Sequence, residues 1–173
     1  MSTARAPAEP QLVTGGGVTL VDGLRIGAGF AHGVYRQRTP TGSAVPQIED
    51  ACATVFNLEG EYAVGYTRIA GEWIVDSFET ASEPAVARGY LLEASQTLTP
   101  RWYVAGRTTR ATTPVFAAGV RVRRSGGTAD ATIGYRATPE ITVKAGYQGS
   151  RTYARQDWDH AAAVSIVWAR RWW

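Results

Sequence analysis

A single cysteine, Cys52, among 173 residues leaves neither an intrachain disulfide nor a cysteine-based metal site open to this chain. Two histidines, His32 and His160, are its whole supply of imidazole, and no glycine-rich phosphate loop or metal-ligand spacing accompanies them. His32 falls within an apolar alternation and His160 begins another. No enzymatic activity is therefore expected, and no catalytic residue, metal or cofactor is assigned. Charge is also scarce, at 19% of residues against roughly 25% in soluble domains. The formal net charge of +3 is spread along the chain and gathers only in "RVRR", at Arg121, Arg123 and Arg124, which speaks against nucleic acid as a partner. Long apolar runs are missing: no 18-residue stretch suits a membrane helix, and "MSTARAPAEPQLVTGGG" lacks the apolar centre of a signal peptide. Helical stripes at i, i+3, i+4 and i+7 are absent as well, so helical folds are set aside.

What is abundant is glycine (19), tryptophan (6), tyrosine (8) and alternation with a period of two. Thr54, Phe56, Leu58, Gly60, Tyr62, Val64 and Tyr66 interleave with Val55, Asn57, Glu59, Glu61, Ala63 and Gly65. Ile141, Val143, Ala145 and Tyr147 likewise oppose Thr142, Lys144, Gly146 and Gln148. Such alternation marks strands with one apolar and one polar face. It predicts eight strands, over 24–37, 53–67, 72–80, 86–98, 101–113, 127–137, 140–154 and 159–172. Short turns are expected at "RIAG" (to Gly71), "LTP" (98–100) and "ATPE" (137–140), with longer connections between them. Short and long connections in alternation put all tight turns at one end of an antiparallel up-and-down meander. In the first segment Gly23, Gly27, Gly29 and Gly33 share one side, suiting close backbone approach.

An all-β antiparallel up-and-down barrel follows, and two architectures share this pattern. A soluble lipocalin-like barrel turns its apolar face inward around a ligand; a transmembrane barrel turns it outward to lipid. Aromatic residues favour the second. Tyr66, Trp73, Trp102, Tyr135 and Trp172 are expected at the tight-turn end as membrane-interface aromatics, and Tyr35, Tyr90, Tyr153 and Trp158 near the other end. The charged residues Arg25, Glu59, Glu61, Glu93, Arg101, Arg107, Asp130, Arg136 and Lys144 fall in the polar phase and become lumen-facing candidates. Mutual pairing of these charges, filling a closed eight-strand barrel, is the structural alternative to an ion-selective channel.

The ending "AVSIVWARRWW", with Trp172 and Trp173, resembles the C-terminal strand of Gram-negative outer-membrane β-barrel proteins, which usually end on an aromatic residue read by the barrel-assembly machinery. "TADATIGYRATPEITVKAGYQ", from Thr128 to Gln148, is similar to the last periplasmic hairpin of porin-like members, including phosphate-selective-porin-like proteins. The resemblance implies a bacterial outer-membrane location, with outer-membrane lipid, lipopolysaccharide and the assembly machinery as partners and a homo-oligomer left open. It implies passive diffusion of small polar solutes or ions, through this barrel or through a larger porin of which this chain is the C-terminal part. A leader would then have been removed or lie outside this chain. On this reading residues 23–173 form the barrel, and 1–22 a flexible N-terminal segment or the remnant of an earlier strand. Arg121, Arg123 and Arg124, expected in a long connection, are candidates for lipopolysaccharide phosphates.

Overall fold

The computed structural model describes residues 11–36, 51–80, 83–117, 120–152 and 157–169. Nine strands run in chain order: β1 (Leu12–Val21), β2 (Leu24–Arg36), β3 (Ala51–Val64), β4 (Thr67–Phe78), β5 (Ala85–Thr97), β6 (Trp102–Ala117), β7 (Val120–Arg136), β8 (Ile141–Arg151) and β9 (Asp159–Trp168). Each pairs antiparallel with its sequence neighbours in one sheet, in the order β1 to β9. Among the described residues β1 and β9 do not pair with each other, so the sheet is open, with these strands as its edges.

The all-β, antiparallel, up-and-down architecture agrees with the alternation in the sequence, while three local expectations change. Nine strands replace eight, because Leu12–Val21, placed within the flexible segment or strand remnant, is a full strand in register with β2. The turn expected at "RIAG" lies earlier, at Gly65 and Tyr66, where Gly65 takes φ +56°. Ile69, Ala70 and Gly71 instead pair with β3 inside β4. The long connection expected after the fifth segment is strand as well: β6 and β7 pair up to Ala117 and Val120, and "RVRR" belongs to β7.

The tight turns use two chemistries, positive-φ glycine and threonine hydroxyl acceptors. At 22–23, Gly23 takes φ +83° with the Ala63 carbonyl against its α-carbon, so a side chain there would meet both strain and backbone. In the two Thr-Pro turns a threonine hydroxyl accepts from successive backbone N–H groups. Thr99 Oγ1 takes those of Arg101 and Trp102 at 3.3 and 3.1 Å, and Thr138 Oγ1 those of Glu140 and Ile141 at 3.2 and 3.0 Å. Successive turns step along the register. The row through Leu24, at the first turn, passes Tyr62, Ile69, Ala94, Gly106 and Ala131 and reaches Tyr147, six residues beyond the start of β8. This stagger is the shear that lets tilted strands curl into a barrel wall.

Among the described residues no apolar core lies between layers. Among the described residues the buried hydrophobic side chains are Ala51 and Ala85 alone. The apolar face, by contrast, is open along its length, from Ile133 at 43% exposed to Val164 at 74%. A water-soluble sheet would cover such a face.

Candidate functional site

Directly paired residues point to the same side of a sheet, so the register sorts the side chains into two faces. One carries Ile26, Phe30, Leu58, Trp73, Leu92, Ile133, Val143 and Ile166. The other carries Arg25, Glu59, Glu61, Arg68, Glu72, Asp76, Glu93, Arg107, Asp130, Arg136 and Lys144. Eight of the nine charged candidates thus share the polar face. The ninth, Arg101, lies in the turn before β6, where its Nη1 donates to the Tyr135 hydroxyl at 3.3 Å. That correction has a simple cause: Trp102, not Arg101, is the first paired residue of β6.

Arg68 is the centre of the polar face, and it was missed because the misplaced turn put it between strands. Its Nε and Nη2 grip Glu61 Oε1 and Oε2 at 2.9 and 3.0 Å, while Nη1 reaches Glu93 Oε1 on the next strand at 2.8 Å. A planar guanidinium with forked donors can bridge two carboxylates in this way. Arg25 faces Glu59 at 3.4 Å, Arg107 Nε reaches Asp130 at 3.2 Å, and Asn57 donates to Glu72 at 3.1 Å. Glu59 and Asn57 lean over Gly27 and Gly29, filling the room that the missing side chains leave. Arg25, Glu59, Glu61, Arg68, Glu72 and Leu91 line one recess. Lys144 shares a second with Glu93, Tyr103, Arg107, Asp130 and Thr132, and among the described residues it forms no ion pair.

Charge on this face is segregated. Strands β2 to β5 present Glu59, Glu61, Glu72, Asp76 and Glu93 against Arg25 and Arg68, an excess of acid. Strands β6 to β9 present Arg107, Arg124, Arg136 and Lys144 against Asp130 and Asp159, an excess of base. At the tight-turn end the Tyr103 ring lies over Gly134, in the space a Cβ would take, and Arg136 stacks on the same ring with its carbon 5.2 Å from the centroid.

The aromatic candidates divide. Trp102 and Tyr135 are paired at the tight-turn end with centroids 4.7 Å apart, and Tyr66 sits in the turn beside them in the meander. Trp73 is corrected: with the turn at 65–66 it lies midway along β4, next to Tyr90 and edge-on to Phe56 at 6.4 Å. Tyr62 and Trp168, which were not singled out, hold apolar-face positions at the tight-turn end. Trp172 and Tyr153 lie outside the described residues, as does the side chain of Tyr35. His32 and His160 stand on β2 and β9, each bonded to a different neighbour, Thr54 and Tyr147, at 2.8 Å. Among the described residues no three His, Cys, Asp or Glu side chains form a metal-binding group.

No protein-family model matches the chain. No curated protein matches it. Among solved structures, it resembles OmpTdeltaL8, a loop L8 deletion mutant of the outer membrane protein OmpT of Vibrio cholerae, with a TM-score of 0.65 at 12% identity over 92% of this chain and 53% of that one. In-vitro folded OmpT of Vibrio cholerae gives a TM-score of 0.61 at 13% identity, over 82% and 44%. The chain therefore spans about half the length of these solved structures. Sorted faces, staggered turns and structural likeness agree on one conclusion: the chain has the antiparallel up-and-down β-fold of outer membrane barrel proteins.

Proposed function

We propose that the chain forms wall of an outer-membrane, porin-like barrel through which small polar solutes or ions diffuse passively, alone or as part of a larger porin. The segregated charge of the polar face carries this reading. Acidic strands β2 to β5 and basic strands β6 to β9, curled by their stagger, set charges of opposite sign along a water-filled path. An excess of unlike charge on separate strands, with Lys144 in no ion pair among the described residues, suits a field acting on a permeant better than a plug of mutually neutralised pairs. The exposed apolar face favours lipid over a soluble ligand-binding barrel, which would turn that face inward. The chemistry asked of the protein is positioning and electrostatics, with no bond made or broken.

Planar-bilayer recording tests the proposal. Protein refolded in detergent is expected to give discrete conductance steps, with a reversal potential in a salt gradient that moves when Lys144 or Arg68 is replaced. Correctly folded protein that inserts and conducts nothing would replace this reading with that of a closed structural barrel.

A further inference from the structure

Among the residues whose side chains are described, the apolar face carries arginines but no acid, and these arginines lie at one end. Among the described strand residues assigned to this face by the register there is no Asp or Glu, whereas Arg88 (β5), Arg110 (β6), Arg123 (β7) and Arg151 (β8) all belong to it. Each is exposed and none forms a salt bridge among the described residues. Measured along their strands from the tight-turn rim, they stand eight to thirteen residues away: Thr97 to Arg88, Trp102 to Arg110, Ile141 to Arg151 and Arg136 to Arg123. At about 3.3 Å per residue and a tilt near 40°, that is roughly 20–35 Å above the rim. An apolar band is about 25 Å tall, so these guanidinium groups emerge at its far boundary.

Their arrangement suits phosphate. The row Trp73, Tyr90, Arg110, Gly127, Arg151 is continuous across five strands, and Gly127 leaves Arg110 and Arg151 with no side chain between them. Arg88 stands beside Arg110 one strand away and two residues along. Aromatic rings below and forked donors above form a surface for a headgroup with several phosphates on a broad, apolar-tailed lipid. The sheet also splits the "RVRR" cluster: Arg123 joins this patch, while Arg124 turns to the polar face.

We infer that Arg88, Arg110 and Arg151, with Arg123 above them, are a docking surface on the outside of the barrel wall for the phosphorylated saccharide headgroup of lipopolysaccharide. The inference rests on the membrane-barrel reading, which puts the apolar face in lipid and the long-connection end in the outer leaflet. Charge complementarity selects the occupant. A patch of one sign, with no counter-ion on its face among the described residues, calls for a multivalent anion held at the boundary, and the broad, multiply phosphorylated headgroup can engage several strands at once where a single-phosphate lipid engages one.

The test uses the whole chain refolded in dodecyl maltoside, with folding verified by heat-dependent gel mobility. Bis-phosphorylated lipid A, dephosphorylated lipid A and phosphatidylglycerol are titrated calorimetrically as mixed micelles. Bis-phosphorylated lipid A is expected to bind, the dephosphorylated form at least tenfold more weakly, and phosphatidylglycerol more weakly than the bis-phosphorylated form. The triple variant R88Q/R110Q/R151Q is expected to raise Kd at least tenfold, its all-lysine counterpart to retain part of the affinity, and R101Q, at the opposite rim, to change little. Equal binding by wild type and triple variant, or equal binding of phosphatidylglycerol, would overturn the assignment. Should the triple Gln variant fail to fold, the single variants R110Q and R151Q decide by the same comparison, each expected to weaken binding at least threefold. A protein that stays monomeric and folded without detergent would defeat the membrane-barrel reading itself, whatever it binds.

Discussion

At Arg68 one guanidinium holds carboxylates from two adjacent strands, and its loss exposes both. All three side chains are open to solvent, so the consequence belongs to the field along the polar face more than to stability. One unit charge about 8 Å from an ion in water is worth about 0.5 kcal/mol. Arg68→Gln is thus expected to raise the cation-over-anion permeability ratio roughly twofold, read as a shift of reversal potential in a KCl gradient; an unchanged potential would remove Arg68 from the ion path. The Trp102 and Tyr135 rings offer a residue-scale test of packing. A double-mutant cycle with Ala at both positions is expected to show a coupling of about 0.5–1.5 kcal/mol in guanidinium unfolding from micelles. The aromatic excess pointed to this end of the meander, and the pairing across strands was invisible because register is not written in either strand alone.

The elements depend on their turns. Gly23 and Gly65 both take positive φ, but only Gly23 has backbone pressed against the position of a Cβ. Gly23→Ala is expected to cost about 2–3 kcal/mol, and Gly65→Ala about 1 kcal/mol, in denaturant midpoint measurements. Equal costs would mean that the β1–β2 turn moves away from β3. Thr99→Val and Thr138→Val each remove an acceptor for two backbone N–H groups and should cost about 1 kcal/mol apiece, additively, since the turns are separate. Two of the tight turns were legible as Thr-Pro punctuation. The 65–66 turn was not, because Gly71 in "RIAG" offered a competing glycine, and the error carried Arg68 and Trp73 with it. Pairing with β3 decided the matter: Glu59, Gly60, Glu61 and Tyr62 all find partners only if Ile69, Ala70, Gly71 and Glu72 are strand.

Over the whole molecule, the exposed apolar face predicts that the protein associates in detergent-free buffer and folds in micelles; a monodisperse, folded protein in plain buffer would contradict it. The basic half of the polar face gives a companion prediction. Lys144→Glu reverses a charge without breaking an ion pair seen among the described residues, a change of two units. It is expected to move the permeability ratio roughly fourfold toward cations, twice the free-energy effect of Arg68→Gln. Alternating residue types by themselves determined that the chain makes antiparallel strands with one apolar and one polar face and tight turns gathered at one end, because side-chain period and turn chemistry are local properties. Tertiary structure alone decided that β1 is a ninth strand, that Arg68 joins Glu61 to Glu93, and that arginines of four strands, in no ion pair among the described residues, gather toward one rim. These are facts of register, set by which residue stands opposite which, and a shift of one position would send every side chain to the other face.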